Sequence, residues 1–335
     1  MPPNSLPAAV AGLVLLAACA TGHASRPAAA AVTGSTARTT GPAAAAAPVG
    51  PVRWVRAADL PLGVSEEGVA AVGTSVHVIG GYVNGRAHST THLVLDTATG
   101  RWSSAAPRPA PLDHVGTAAV TGILYAVGGY GSAGRPTTGV YAYRAGAWTA
   151  RAPLPVARAA GVAVVLAGRL HLIGGRGPAG DTGRHDVYDP TTNRWTTAAP
   201  SPVARDHASA AVLAGRIYVS AGRPGGITTT SSYDPTTDRW RSLAPLPVGR
   251  SSAAGVAWNG RFLVLGGEDA AESRVFRSVD AYDPGRNAWA SLPPLPGGRQ
   301  GIGSVTVAGR VYVPGGGPSA GGAVQSRTLY VLTAG

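Results

Sequence analysis

Lysine is absent from this 335-residue sequence, so its formal charge of +12 comes from 28 arginines set against 16 acidic residues. An excess of this size favours anionic partners through the summed field of the protein. The same composition, rich in alanine, glycine and arginine, is also typical of biased codon usage, which carries no information about a partner. Nothing beyond the net charge indicates nucleic-acid recognition, and we expect no nucleic-acid partner.

Cysteine occurs once, at Cys19. The chain beyond it therefore has no disulfide, no thiolate ligand for a metal and no cysteine nucleophile. Cys19 lies near the end of an apolar run, residues 8–20, which has the length of a signal-peptide core and is too short for the roughly 20 residues that span a bilayer. Residues 16–19 resemble a bacterial lipobox. We expect a signal peptide at 1–19 and a lipid on Cys19, which places the chain outside the cytoplasm on a lipid anchor, or secreted if Cys19 is unmodified.

Large apolar side chains are nearly missing from residues 20–50, which consist mostly of Ala, Pro, Thr, Gly and Ser. Such a segment buries too little surface to offset the entropy lost on ordering, so we predict a flexible linker here. Glycine and proline, with 48 and 28 residues, stay below the share at which disorder becomes the default for a whole chain. We expect residues 51–335 to fold with many tight turns.

Tryptophan marks an internal repeat in residues 51–335. Six tryptophans recur at intervals of 45–49 residues, and a pair of small residues begins 26 positions after each of them. The tryptophans are Trp54, Trp102, Trp148, Trp195, Trp240 and Trp289, and the pairs begin at Gly80, Gly128, Gly174, Ala221, Gly266 and Gly315. All variation in repeat length falls between a pair and the next tryptophan, as expected for loops between constant structural units.

Each repeat predicts four short antiparallel strands, called a to d in chain order. The constant 26 residues contain two alternating apolar runs joined by a tight turn, as on either side of Ala167-Gly168, and these are strands a and b. A third run, such as the one ending at Tyr188, precedes Asp189-Pro190, the signature of a type I turn. Strand d then carries the tryptophan. Four such strands are typical of one β-propeller blade.

The repeat resembles the kelch family. The resemblance rests on an apolar run, a double glycine, Tyr-Asp-Pro and tryptophan, as in residues 173–175, residues 188–190 and Trp195. It covers residues 51–335 and implies an all-β, six-bladed kelch-type β-propeller with four antiparallel strands per blade. The first tryptophan lacks strands a to c before it, and the last glycine pair lacks a tryptophan after it. We therefore predict that residues 52–57 form the outer strand of the sixth blade, beside residues 326–332.

Strand alternation predicts that the d-to-a and b-to-c loops share one face of the propeller, here called the loop face. Four repeats carry an arginine ten positions after the tryptophan, and the residue after each small pair lies on the same face. We expect ligand-binding side chains at Arg158, Arg205, Arg250 and Arg299 in the first set and at Tyr82, Tyr130, Arg176, Arg223 and Glu268 in the second. Because guanidinium forks pair with carboxylates, an anionic ligand fits these positions. The arginine row has a second explanation, in which it belongs to the repeat and pairs with nearby loop carbonyls or acids.

Acidic and imidazole side chains follow the arginine positions. The candidate acid–base residues are Glu66, Asp113, His114 and His207. Since adjacent residues of a strand point to opposite faces, at most one member of Asp113-His114 or of Asp206-His207 is expected to face the channel. The eight histidines show no compact ligand spacing, so we expect no metal and no cofactor.

Two classes of function remain open. A monomeric binding module would recognise a protein or glycan with the loop face and needs no catalytic group. Alternatively, the resemblance to kelch proteins implies a relation to exported bacterial sialic-acid mutarotases, which interconvert the anomers of an acidic sugar such as N-acetylneuraminate without a metal. A role in envelope assembly is a further alternative. Galactose-oxidase-like chemistry is disfavoured, because it needs a cysteine crosslinked to tyrosine and no cysteine follows Cys19.

Overall fold

The computed structural model describes residues 51–335, which form six four-stranded antiparallel sheets arranged around a central channel. The predicted signal peptide at 1–19, the linker at 20–50 and Cys19 lie outside the described residues. Within the described part, the only helical element is a 3-10 turn at Ala320–Gly322. The all-β, six-bladed propeller predicted from the repeat is confirmed. No helix in residues 51–335 is both long and apolar enough to cross a membrane.

The strands follow one another in chain order from the inside of a blade to the outside, except in blade 6. One strand of that blade comes from the start of the described chain, β1 (Val52–Arg56). Blade 1 contains β2 (Gly68–Val72), β3 (Ser75–Ile79), β6 (His92–Asp96) and β7 (Arg101–Ser104), with a small hairpin of β4 (Tyr82–Val83) and β5 (Ala87–His88). Blade 2 contains β8 (Gly116–Val120), β9 (Ile123–Val127), β10 (Val140–Arg144) and β11 (Ala147–Ala150).

The next blades repeat this order. Blade 3 contains β12 (Val162–Leu166), β13 (Arg169–Ile173), β16 (His185–Asp189) and β17 (Arg194–Ala198), with a hairpin of β14 (Arg176–Gly177) and β15 (Gly180–Asp181). Blade 4 contains β18 (Ser209–Leu213), β19 (Arg216–Ser220), β20 (Thr230–Asp234) and β21 (Arg239–Leu243). Blade 5 contains β22 (Ala254–Trp258), β23 (Arg261–Leu265), β24 (Val279–Asp283) and β25 (Ala288–Leu292), and blade 6 contains β26 (Val305–Val307), β27 (Arg310–Pro314) and β28 (Leu329–Ala334).

Blade 6 is completed by strand β1, in the order β1-β28-β27-β26. The antiparallel register runs from Val52 opposite Ala334 to Arg56 opposite Tyr330. The predicted closure is therefore confirmed, although the segment that pairs with β1 is residues 330–334 instead of 326–332. Both ends of the described chain contribute to one sheet, which removes two exposed strand edges.

The hydrophobic core consists of six clusters, one at each interface between neighbouring blades. The repeated tryptophans flank these clusters and each donates its indole N–H to a backbone carbonyl of the preceding blade. Trp102 Nε1, for example, donates to Ala58 O at 2.9 Å, and Trp54 Nε1 donates to Pro293 O at 2.9 Å. The tryptophan series is thus a scaffold that joins consecutive blades.

Candidate functional site

Six residues, each twelve positions after a tryptophan, meet around the channel where the inner strands begin. We call them the channel ring: Glu66, His114, Ala160, His207, Ser252 and Gly301. The N–H of each residue donates to the carbonyl oxygen of its counterpart in the preceding blade, at N···O distances of 2.8–3.2 Å. The N–H of Glu66 donates to Gly301 O, which closes the circle. Residues from all six repeats are therefore held at one level of the channel.

The ring residues share an unusual backbone conformation. All six have positive φ angles between 48° and 56°, the left-handed region. For residues with a Cβ this conformation costs about 1–2 kcal/mol, and only Gly301 adopts it freely. The circle of hydrogen bonds offsets this cost and fixes the direction in which each ring side chain points.

Each histidine of the channel ring is bonded to the aspartate that precedes it. His207 Nδ1 lies 2.8 Å from Asp206 Oδ1, and His114 Nδ1 bonds to Asp113 Oδ1. As expected, only the histidine of each pair lines the channel cavity. The reason given for this expectation, the alternation of side chains along a strand, was wrong. The left-handed turn at each histidine interrupts the strand alternation, so the two side chains of a pair meet instead of pointing apart.

Glu66 and the two ring histidines form one cluster. Glu66 Oε2 lies 3.3 Å from His114 Nε2 and 4.0 Å from His207 Nε2, and the two imidazole centroids are 4.7 Å apart. A cavity of about 100 Å³ lies against them. Burial opposes a charge on His114, but Glu66 and Asp113 outweigh this effect and raise the pKa of His114 above its ordinary value.

A second circle surrounds this cluster and consists of the residues after the glycine pairs. We call it the loop rim: Tyr82, Tyr130, Arg176, Arg223, Glu268 and Gly317. Each rim residue pairs by an antiparallel bridge with the residue just before a ring residue, as Asp206 does with Arg223. Tyr82 and Tyr130 also pack edge-on against the His114 ring, with centroids 5.5 and 5.3 Å away. The rim side chains expected on the loop face are thus brought together around the channel.

Charges on the loop rim are partly matched. Arg223 donates to Glu268 at 2.6 Å and also lies 3.0 Å from Glu272, while Glu268 is fully buried. Arg176 is more than half exposed and pairs with Asp181 at 3.2 Å. Arg176 is therefore the rim guanidinium most accessible to a ligand in the described chain.

Comparisons with known proteins agree with this architecture. The KLHDC2/KLHL20/DRC7 kelch-repeats domain matches residues 67–247, more than half of the chain, and the kelch motif matches residues 249–296. The chain belongs to the kelch-repeat family. The solved structure of YjhT is similar to this kelch propeller with a TM-score of 0.70 and 21% sequence identity, over 81% of this chain and 95% of YjhT. At that identity the likeness concerns the fold alone. No curated protein matches the sequence.

The four arginines expected as ligand-binding side chains on the loop face are instead buried in the kelch propeller. Arg158, Arg205 and Arg250 are at most 1% exposed and Arg299 is 7% exposed. Their guanidinium groups bond within the blades. Arg205 donates to Ala221 O at 2.7 Å and Thr229 O at 3.0 Å. The second explanation, in which they pair with loop carbonyls and acids, describes these contacts.

Two of these arginines also meet buried acids of their own blade. Arg158 bonds to Asp186, and Arg250 Nη2 donates to Asp280 Oδ2 at 2.7 Å. Arg299 donates to Ser326 Oγ at 3.1 Å. The remaining two repeats carry buried Val64 and Leu112 at the equivalent position. The aliphatic residues at this position in two repeats were the signal in the sequence that the position lies inside a blade.

Glu67 is the titratable channel residue that the sequence reasoning missed. It is 7% exposed, it lines the channel cavity and its carboxylate oxygens have no hydrogen-bond partner among the described residues. Burial, followed by the charge of Glu66, raises the pKa of Glu67 to about 8. The equivalent positions in the other repeats are uncharged, for example Val115 and Ile302, so a lone acid at an otherwise uncharged position was the available signal.

Proposed function

We propose that this kelch propeller is an extracytoplasmic binding module that captures a small anionic, hydroxylated ligand, such as an acidic glycan, with its loop rim. The observation that carries the proposal is the circle of tyrosine and arginine side chains around one end of the channel. Tyr82, Tyr130, Arg176 and Arg223 come from four consecutive blades and share one level. The location outside the cytoplasm rests on the signal-like residues 1–19.

The chemistry of the loop rim fits a carboxylated sugar. A guanidinium group binds a carboxylate through two parallel hydrogen bonds, and Arg176 has donor groups exposed for this role. Tyrosine offers an apolar ring face together with a hydroxyl that can bond sugar hydroxyls. Burial raises the pKa of Tyr82 and of Tyr130 to about 12, so both hydroxyls keep their protons and can donate at neutral pH.

A glycan array probed with the purified protein tests this proposal. We expect binding to acidic glycans and weaker or no binding to their neutral counterparts. Arg176→Ala should weaken this binding at least tenfold, since a charge-assisted pair to a carboxylate contributes about 1.5–3 kcal/mol. Arg216→Ala is the matched control, because Arg216 is also partly exposed and paired with an aspartate but begins a strand on the opposite face. Equal losses in the two variants would contradict a site on the loop rim.

The Glu66, His114 and His207 cluster supports one alternative, a metal-independent mutarotase. Removal of a proton from the anomeric hydroxyl and delivery of a proton to the ring oxygen open the sugar, and closure on the other face yields the second anomer. Glu66 and His114, 3.3 Å apart, offer a base and an acid for these two transfers. Saturation-transfer NMR on N-acetylneuraminate measures the exchange directly. An exchange rate unchanged by the protein would eliminate this alternative and leave the binding module untouched.

A further inference from the structure

We propose that Glu66, His114 and His207 form a binding site for a divalent transition metal, with Zn²⁺ as the best-fitting ion. One carboxylate oxygen and two imidazole nitrogens lie within 4.8 Å of one another. Two histidines and one glutamate are the protein ligands of a common class of zinc site, which keeps at least one coordination position open. The inference goes beyond the proposed function, because capture of a glycan by the rim arginines requires no metal.

The sequence expectation of no metal relied on the spacing of histidines along the chain. The three ligands belong to different repeats, and only the channel ring brings them together. The other three ring positions carry the small residues Ala160, Ser252 and Gly301, and all three line the channel cavity. The ring thus places three donor groups around a cavity whose other three ring positions carry small residues.

Both histidines are oriented as metal ligands usually are. A ligating histidine almost always donates its other ring N–H to a carboxylate or carbonyl, which fixes the tautomer and directs the free nitrogen at the metal. Asp113 and Asp206 hold Nδ1 of His114 and His207 in this manner. The Nε2 atoms of both rings consequently face Glu66 and the cavity. Two different repeats thus each carry an aspartate-histidine pair, and both pairs direct a free imidazole nitrogen at the same cavity.

The Nε2 atom of His207 lacks a partner within residues 51–335, which a network of protons shared among Glu66 and the histidines does not explain. The residue is 9% exposed, and its Nε2 has no hydrogen-bond partner among the described residues. Glu66 Oε2 lies 4.0 Å from this nitrogen, which is too far for a hydrogen bond. A buried polar atom without a partner carries a cost of about 1–3 kcal/mol in native proteins. A metal bound between Glu66 and His207 would satisfy this nitrogen.

The distances require only small side-chain rotations. Ligand atoms bound at about 2.0–2.1 Å to a tetrahedral ion are about 3.3 Å apart. The distance from Glu66 Oε2 to His114 Nε2 already has this value, 3.3 Å. Because every pair lies within 4.8 Å, no pair has to close by more than about 1.5 Å.

The charges around the cluster favour a cation. Glu66, Asp113 and Asp206 are carboxylates at or directly behind the three ligand positions. The guanidinium of Arg223, on the neighbouring loop rim, is matched by Glu268 at 2.6 Å and Glu272 at 3.0 Å. The acidic groups therefore outnumber the free positive charge at this end of the channel, which is the electrostatic requirement for holding a divalent ion.

Isothermal titration of Zn²⁺ into the purified protein tests the site. The protein carries no polyhistidine tag and is freed of metal by a chelator. We expect one Zn²⁺ per chain, and X-ray absorption should show imidazole nitrogens at about 2.0–2.1 Å from the ion. His207→Ala should weaken binding at least tenfold, and Asp206→Asn should weaken it about 10–100-fold, the usual effect of losing the partner of a ligating histidine.

Ser252→Ala is the matched control, because Ser252 occupies the same ring position without being a ligand. Alanine is accepted at this position, since Ala160 adopts the ring conformation with a φ of 53°. Glu66→Gln tests separately whether the carboxylate is a ligand, because glutamine has the same size and lacks the charge. Zn²⁺ binding that is absent, or that is equal in His207→Ala and Ser252→Ala, would overturn the proposal. Glycan binding by the metal-free protein would leave the proposed function intact in either case.

Discussion

Trp54 lies directly opposite Leu332 in the outermost strand pair of blade 6, although the two residues belong to opposite ends of the described chain. Trp54 also packs on the cluster between blades 5 and 6 and donates to Pro293 O at 2.9 Å. The N-terminal strand therefore contributes to a sheet and to a blade interface at once. Closure of the ring depends on both contacts.

Deletion of residues 1–57 should destabilise the propeller strongly. It removes strand β1 and Trp54, and loss of a packed tryptophan alone costs about 3–5 kcal/mol. We expect the thermal midpoint to fall by about 10 °C or more and the exposed edge of β28 to promote association. Calorimetry and light scattering measure the two effects. Deletion of residues 1–50 is the control, because it keeps β1, and equal midpoints for the two truncations would contradict a stabilising role of the closure.

Arg250→Ala should cost stability rather than ligand binding. The substitution leaves Asp280, which lies 2.7 Å from Arg250, as an unpaired buried charge, and breaking such a pair costs about 3–5 kcal/mol. Chemical denaturation measures the loss. Arg250→Ala combined with Asp280→Asn should recover part of it, because the orphaned charge is gone. A stable Arg250→Ala protein that had lost its glycan affinity would restore the first interpretation of the arginine row.

The fold was predictable because propeller blades repeat. Period, strand order and closure follow from where Trp54 and Gly315 stand relative to the other repeats, and each of these was confirmed. Burial of the arginine row was harder to predict, since the exposed loop residues Val156 and Val248 stand two positions before Arg158 and Arg250. The bonds of their guanidinium groups to backbone carbonyls and to Asp186 and Asp280, on strand c of the blade that follows each arginine, decide the direction of these side chains.

The arrangement of the candidate site could be predicted only in part. Glu66, His114 and His207 were predicted as acid–base candidates, but the left-handed conformation of these positions depends on hydrogen bonds between blades and has no signature in the residues themselves. The prediction that adjacent side chains point to opposite faces, which holds on a strand, was therefore applied to residues at which the chain turns. The contact between His114 and His207 follows from the closed ring and from no local pattern.

Stability should decline in mild acid because of buried neutral histidines. Nδ1 of His171 lies 2.8 Å from Nε2 of His185, and burial lowers the pKa of each to about 4. In the unfolded chain these groups titrate near 6.5, so the unfolded state takes up protons that the native state refuses. Stability is thus fully present above about pH 6.5 and is lost as the pH falls toward 4.

The pair His171→Leu and His185→Val tests this pH dependence. Blade 5 carries Leu263 and Val279 at the equivalent positions, so the propeller already accepts this combination. We expect the fall of the thermal midpoint between pH 6.5 and 4 to become about half as steep, since the similar pair His77 and His92 remains. An unchanged slope would show that carboxylates, not these imidazoles, govern the acid response.

The second glycine of each small pair should be essential for stability, whereas the glycines of the a-to-b turns should tolerate replacement. A Cβ on Gly175 would lie 2.7 Å from Ala159 O and 2.9 Å from the backbone of Gly161, while a Cβ on Gly168 meets nothing within 4 Å. Both residues have positive φ, 93° and 74°, so both alanine variants carry backbone strain of about 1–2 kcal/mol. Only Gly175→Ala adds an overlap with the backbone just before strand a, which brings its expected cost above about 3 kcal/mol. Denaturation of the two variants separates strain from overlap, and similar costs would refute the close-approach explanation. Alanine replaces the first glycine at Ala221, but no repeat replaces the second.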